Sequence, residues 1–209
     1  AEAKKDSFAA AGGRKSNTNL AEELSVWDKL ANTVKKLTGF NRTDKEKYGE
    51  NSKIYIALAN LNESREAFPE CEEQIKQLEK EVRAIGDMWG SRVIDGGVSL
   101  ILLDERAKNL STVEQVLSLA HPLKALIINE ARDFADEKTR EIYHQAGDKT
   151  DAANAFKHIY WSAYMTKKIG AKYAKLFTNA HELGWGNENI NDPEAMKMDF
   201  HNNQRGRIL

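Results

Sequence analysis

Several features that would assign this chain to a class are missing from its sequence. It has a single cysteine, Cys71, among its 209 residues, so an internal disulfide is excluded. Cys71 stands among acidic residues in PECEEQ, a setting that disfavours a reactive thiolate, and we interpret it as incidental to function. The longest apolar run, VSLILL at 98–103, is far shorter than the roughly 20 residues that span a bilayer.

An excess of charge of one sign is missing as well. Lys and Arg number 31, Asp and Glu number 32, and the net charge is −1, so charge gives no argument for nucleic acid or an anionic membrane. Proline is scarce, with 3 residues, and few windows alternate as strands do. Apolar residues instead recur three or four apart, which predicts an all-α, compact multi-helix bundle.

Composition divides the chain into three parts. Residues 1–19 are rich in Ala, Gly, Lys, Ser and Asn, which predicts a flexible tail. We expect an N-terminal helical region over 20–100 and a C-terminal helical domain over 101–209. The chain opens without methionine and without an apolar signal core. We therefore expect either that a segment was removed or that this is part of a longer protein, and both alternatives fit a secreted protein.

Capping residues predict where several helices begin. Ser111 followed three residues later by Glu114 forms a capping box. Asp151 is a candidate N-cap for the next helical stretch, and Pro193 fits the first position of the last helix. Gly184 predicts the end of the helix that precedes it.

The stretch DAANAFKHIYWSAYM, residues 151–165, holds the first candidate site residues. Asp151, Asn154 and His158 are spaced three and four apart and so share one helix face, which Trp161 continues. A carboxylate or amide one turn from an imidazole can fix its tautomer. The alternative is that Asp151 only caps the helix and His158 is a hydrogen-bonded core histidine.

Two further stretches contain residues suited to catalysis. AHELG places an imidazole next to a carboxylate, and DFHNN packs an acid, an imidazole and two amides into five residues. Because asparagine is a poor helix former, two in succession predict that these amides have partners. The residues concerned are His181, Glu182, Asp199, His201, Asn202 and Asn203.

These side chains suit two kinds of chemistry, between which spacing does not choose. Asp, His and Glu can hold a divalent metal ion that activates water, with His158, His181 and Asp199 as candidate ligands. The same groups suit metal-free acid–base catalysis, with Arg207 stabilising an anionic intermediate.

About 60 residues resemble a family of bacterial domains. NAFKHIYWSAYMTKKIG, FTNAHELG and MKMDFHNNQRGR are similar, in this order, to the pattern (D/N)AFRHAYWSALMT, AHE and MDLHNN..GR. This family occurs at the C-termini of polymorphic toxins and secreted effectors, and its reaction is uncharacterised. Lys157 replaces the usual arginine, which implies weaker bidentate binding of a phosphate. Phe200 replaces the usual leucine.

The resemblance and the residue chemistry together give the predicted site. We predict catalytic roles for His158, His181, Glu182, Asp199 and His201. We predict substrate binding by Asn154, Trp161, Asn202, Asn203 and Arg207.

The function expected from these residues is that of an antibacterial effector with hydrolase activity. The substrate would be a phosphoester or ester of an envelope lipid or of a lipid-linked cell-wall precursor, because aromatic residues surround the polar ones. The alternatives are a nuclease toxin and a non-enzymatic membrane-permeabilising module. The resemblance implies secretion or delivery into a target bacterium, action in the periplasm or at the membrane, and a cognate immunity protein.

Overall fold

A computed structural model describes residues 43–101, 109–144, 151–185 and 193–209. The predicted tail over 1–19 and the start of the predicted helical region lie outside the described residues. Regular structure in the described ranges is entirely helical, which confirms the predicted all-α bundle. A short 3-10 turn, Pro69–Cys71, precedes the third helix. The α-helices are Asp44–Tyr48 (α1), Lys53–Ala67 (α2), Glu72–Trp89 (α3), Ser91–Ile101 (α4), Thr112–Ala120 (α5), Pro122–Tyr143 (α6), Ala152–Ile169 (α7), Ala171–Leu183 (α8) and Pro193–Ile208 (α9).

Helix α5 lies at the centre of the bundle and packs on α2, α3, α4, α6 and α8. Its capping box forms as predicted: the Ser111 hydroxyl accepts from the Glu114 amide, and the Glu114 carboxylate accepts from the Ser111 amide. Val113, Val116 and Leu117 are fully buried. The box satisfies backbone donors that would otherwise be buried without partners, so a short apolar helix can run through the core.

Helices α6, α8 and α9 all pack against α7. The approach of α9 to α7 depends on Gly206, where an added Cβ would lie 2.2 Å from the Ile159 carbonyl oxygen and 2.8 Å from the Ser162 Cβ. Because glycine has no Cβ, the backbones of α7 and α9 come close enough for short polar side chains on the two helices to contact each other.

Residues 44–209 form one compact unit. Two hydrogen bonds join its earlier and later helices: Ser64 Oγ donates to the Leu183 carbonyl oxygen at 2.8 Å, and Asn60 Nδ2 donates to the Gly184 carbonyl oxygen at 3.1 Å. The division predicted near residue 100 therefore falls between helices that pack on each other, and it stays a prediction.

None of the described helices combines the length and the apolar character needed to cross a membrane.

Candidate active site

The predicted face of α7 is buried and polar. Asp151 caps the helix, and its Oδ1 accepts from the Asn154 amide at 2.7 Å, as its position predicted. Asn154, His158 and Trp161 follow on the same face, each less than one-tenth exposed. The three-and-four spacing read from the sequence therefore places an imidazole inside the bundle, one turn from an amide.

Helices α8 and α9 bring two carboxylates to this imidazole. Nε2 of His158 lies 3.3 Å from Oδ1 of Asp199 on α9. Nδ1 of His158 lies 3.6 Å from Oε1 of Glu182 on α8 and 3.3 Å from Oδ1 of Asn203 on α9. Three helices thus supply the polar cluster, which we define as His158, Glu182, Asp199 and Asn203.

Amide and hydroxyl groups hold the carboxylates of the polar cluster. Asn154 Nδ2 donates to Asp199 Oδ1 at 2.9 Å, and Asn203 Nδ2 donates to Glu182 Oε1 at 3.0 Å. Ser162 Oγ donates in turn to Asn203 Oδ1 at 2.8 Å. Asn203 therefore has hydrogen-bond partners, as we predicted from the low helix propensity of asparagine. Asn202 is buried, but its Nδ2 has no hydrogen-bond partner among the described residues.

Burial dominates the electrostatics of the polar cluster. Loss of hydration raises the pKa of Glu182 to about 7, with a further contribution from the Asp199 charge. Burial also raises the pKa of Asp199 to about 6. The pKa of His158 falls to about 3, because burial and the positive charges of His181 and Lys157 oppose its protonation. A neutral imidazole between two carboxyl groups with raised pKa values is typical of sites that bind a proton or a cation.

His181 lies beside the polar cluster but bonds elsewhere. Its Nδ1 is 3.1 Å from Oε1 of Glu114, and its ring meets that of Trp161 edge to face, with centroids 5.3 Å apart. Burial lowers the pKa of His181. The charge and hydrogen bond of Glu114 and the charge of Glu182 have a larger, opposite effect, so the pKa rises to about 9. His181 is therefore an imidazolium at neutral pH, with its own carboxylate partner.

A cleft of about 410 Å³ opens onto the polar cluster at His158. One part of its lining is apolar and includes Ile128 and Trp161. Another part is charged and carries Arg132 and Lys157 together with Asp133 and Asp136. Nζ of Lys157 lies 3.6 Å from Oδ1 of Asp136. Arg132 was not predicted as a site residue, because in the sequence it is one of many charged residues on helix α6.

Two predicted site residues lie away from the polar cluster. His201 is exposed, and Arg207 donates through Nη1 to Oγ1 of Thr178 at 2.8 Å. Both line a separate cleft with Lys175. Arg132, Lys157 and His181, rather than Arg207, are therefore the cations that line the cleft at His158. Four predicted residues, His158, Glu182, Asp199 and Asn203, meet in the polar cluster; Asn154 bonds to it, and Trp161 and His181 lie beside it.

One comparison with known proteins gives a match. Residues 115–209 are similar to a family described as "Domain of unknown function (DUF6973)". The matched segment contains the whole polar cluster and begins one residue after Glu114. No curated protein and no solved structure matches the chain significantly.

Proposed function

We propose that this chain is an antibacterial effector domain that hydrolyses a phosphoester or an ester in an envelope lipid or a lipid-linked cell-wall precursor. One observation supports hydrolysis above all: His158 lines a cleft together with Arg132 and Lys157, and its ring nitrogens lie within 3.6 Å of two carboxylates, Glu182 and Asp199. This arrangement offers water-activating groups at the edge of the cleft and cations in its lining.

The chemistry follows from the placement of these groups. Arg132 and Lys157 would bind an anionic group of the substrate, while the apolar side, with Ile128 and Trp161, would accept its hydrocarbon portion. The polar cluster, which meets the cleft at His158, would polarise a water molecule for attack on phosphorus or on a carbonyl carbon. An amphiphilic ester suits this mixed lining better than a uniformly charged polymer does.

The setting of the proposed activity rests on the resemblance of the three motifs to toxin domains. On that basis the domain would be secreted or delivered into a competing bacterium and would act in the periplasm or at the membrane. A cognate immunity protein would protect the producing cell. The matched family is of unknown function and does not bear on this setting.

Expression in a sensitive bacterium tests the proposal. We expect growth inhibition when the chain is exported to the periplasm, little inhibition from the cytoplasm, and loss of inhibition in His158→Ala. His201→Ala is the matched control, because it removes an exposed imidazole from outside the polar cluster. Circular dichroism and the thermal midpoint of each purified variant show whether it is folded.

Other outcomes would replace this function. Killing from the cytoplasm, with degradation of RNA or DNA by the purified protein, would indicate a nuclease. Leakage from protein-free vesicles that persists in His158→Ala would indicate a permeabilising module. Mass spectrometry of an envelope lipid extract treated with wild-type protein and with His158→Ala would identify the bond that is cleaved.

A further inference from the structure

We propose that His158, Glu182 and Asp199 bind one divalent metal ion of the Zn²⁺ and Mn²⁺ class. The site is inferred from its own geometry. The role of the ion in activating water rests, in addition, on the proposed hydrolysis.

The positions of the donor atoms support a single ion. One ligand atom from each of His158, Glu182 and Asp199 lies within 4.8 Å of the other two. Nε2 of His158 and Oδ1 of Asp199 are 3.3 Å apart. Metal bonds of about 2.0–2.2 Å hold neighbouring ligand atoms roughly 3 to 3.5 Å apart, so this pair already has the separation of two ligands on one ion. The third ligand atom, on Glu182, lies within 4.8 Å of the other two, and the Glu182 side chain must move closer for all three to bind one ion.

A shortage of hydrogen-bond donors also indicates a cation. Both nitrogens of His158 face oxygen acceptors: Asp199 on one side, Asn203 and Glu182 on the other. A neutral imidazole has one N–H, so one ring nitrogen directs a lone pair at an oxygen. Rotating the Asn203 amide by half a turn would give the imidazole a donor but would turn the amide oxygen toward Glu182. A metal ion bound to Nε2 gives that lone pair a partner and leaves the hydrogen on Nδ1, which can donate to Asn203 Oδ1.

The surrounding hydrogen bonds are those of an outer coordination shell. Asn154 holds the Asp199 carboxylate, and Asn203, itself held by Ser162, holds the Glu182 carboxylate. Metal ligands in proteins are commonly fixed in this way, which orients their lone pairs before the ion arrives. Three protein ligands from three packed helices form a rigid site.

The donor set indicates the class of ion. One imidazole and two carboxylates, without a thiolate, suit Zn²⁺ or Mn²⁺ rather than Cu(I). Three protein ligands leave coordination positions for water and substrate, as catalytic sites require. In the proposed hydrolysis the oxygen of the bound water bonds to phosphorus or to the carbonyl carbon. The bond to the leaving oxygen breaks, and the proton lost by water passes to the leaving group.

Metal binding by the whole chain tests this site without any knowledge of the substrate. The protein is treated with chelator and dialysed, then titrated calorimetrically with ZnCl₂ and separately with MnCl₂. We expect one equivalent of at least one of these ions to bind and to raise the thermal midpoint. Co²⁺ should bind in their place and give a visible d–d absorption that reports an imidazole and oxygen ligand set.

Matched carboxylate variants locate the ion. Asp199→Asn and Glu182→Gln should each weaken binding by about 100-fold or more, and Asn154→Ala by about 10-fold, because it only orients a ligand. The control is Asp136→Asn, which removes a carboxylate that lines the cleft beside Lys157 but lies outside the site. Its affinity should equal that of the wild type. If one ligand variant fails to fold, the other still tests the site.

Two results would overturn the metal site: folded wild-type protein that binds neither Zn²⁺ nor Mn²⁺, or binding that Asp136→Asn abolishes and Asp199→Asn retains. Failure of the site is distinguishable from failure of the proposed function. Killing that needs His158 but persists in metal-free protein would refute the metal site alone. One bound ion, without killing and without a cleaved lipid, would refute the hydrolase alone.

Discussion

Two glutamates with the same degree of burial have opposite surroundings in this protein. The Glu79 side chain on α3 is 11% exposed, and that of Glu182 on α8 is 9% exposed. Glu79 is paired with two guanidinium groups, from Arg65 at 2.7 Å and from Arg83 at 3.3 Å. Glu182 has an asparagine amide and a neutral imidazole as its neighbours, with His158 3.6 Å away.

The difference distinguishes a carboxylate that folding explains from one that we propose to be functional. Burying a carboxylate costs several kcal/mol unless an opposite charge or hydrogen bonds compensate for it. Glu79 has full compensation, so folding alone explains it. Glu182 lies near a second acid, Asp199, and burial raises the pKa of Glu182 although the charge of His181 opposes this. Carboxyl groups with strongly raised pKa values occur most often in ligand-binding and catalytic sites.

The largest effect is expected from separating the helices that form the polar cluster. Gly206→Ala places a methyl group against the Ile159 carbonyl oxygen and should destabilise the protein by about 3 kcal/mol, in the upper part of the range for overpacking. Metal binding should be lost with it, because α9 carries Asp199. Denaturant unfolding and Zn²⁺ titration measure the two effects.

Gly96 provides the control for this substitution. It lies inside α4 with nothing within 4 Å of an added Cβ, so Gly96→Ala should stabilise the protein by about 0.5–1 kcal/mol through helix propensity alone. Equal effects of the two alanines would contradict the importance of the close approach between α7 and α9.

Replacing each glutamate by glutamine tests the comparison directly, because only one of the two changes should lower the stability. Glu79→Gln should cost about 1–2 kcal/mol of unfolding free energy, because two partly exposed guanidinium groups lose their charged partner. In metal-free protein, Glu182→Gln should leave stability unchanged or raise it by up to about 1 kcal/mol, since the amide oxygen still accepts from Asn203. Urea unfolding in the presence of chelator gives both values, and a larger loss for Glu182→Gln would refute the distinction.

The smallest effect on function is expected at Cys71, a buried thiol that we interpret as incidental. Burial, and then the Glu70 charge, raise the pKa of Cys71 to about 11. At pH 8 its thiolate fraction should therefore be about 200-fold below that of an ordinary cysteine, whose pKa is near 8.5. Alkylation by iodoacetamide should be slow in the native protein and fast in denaturant, and the native rate should rise as the pH approaches 11. Fast alkylation at pH 8 would show that the side chain is reactive.

Local residues were good predictors of the helices that carry the site. Asp151 caps α7, Ser111 and Glu114 form the box that opens α5, and α8 ends at Leu183, before Gly184. These features depend on hydrogen bonds within a few residues along the chain, which the sequence displays directly. The shared face of Asn154 and His158 was predicted for the same reason, from helical periodicity.

The members of the polar cluster were predicted individually, but their arrangement was not. His181 was expected as a metal ligand, yet it pairs with Glu114, and its neighbour Glu182 is the residue that faces His158. Adjacent residues on a helix point in different directions, and which of them enters the site depends on how α8 is rotated against α5 and α7. His201 was a candidate on composition alone, and it lies exposed on α9.

The sequence by itself determined an all-helical bundle, the helix caps and the polar face of α7, because these follow from short-range hydrogen bonding and from the 3.6-residue period. The tertiary structure alone decided which oxygens meet His158 and which cations line the cleft. Those contacts join residues far apart in the chain, such as His158 with Asp199 at 3.3 Å, and they exist because Gly206 lets two helices approach closely.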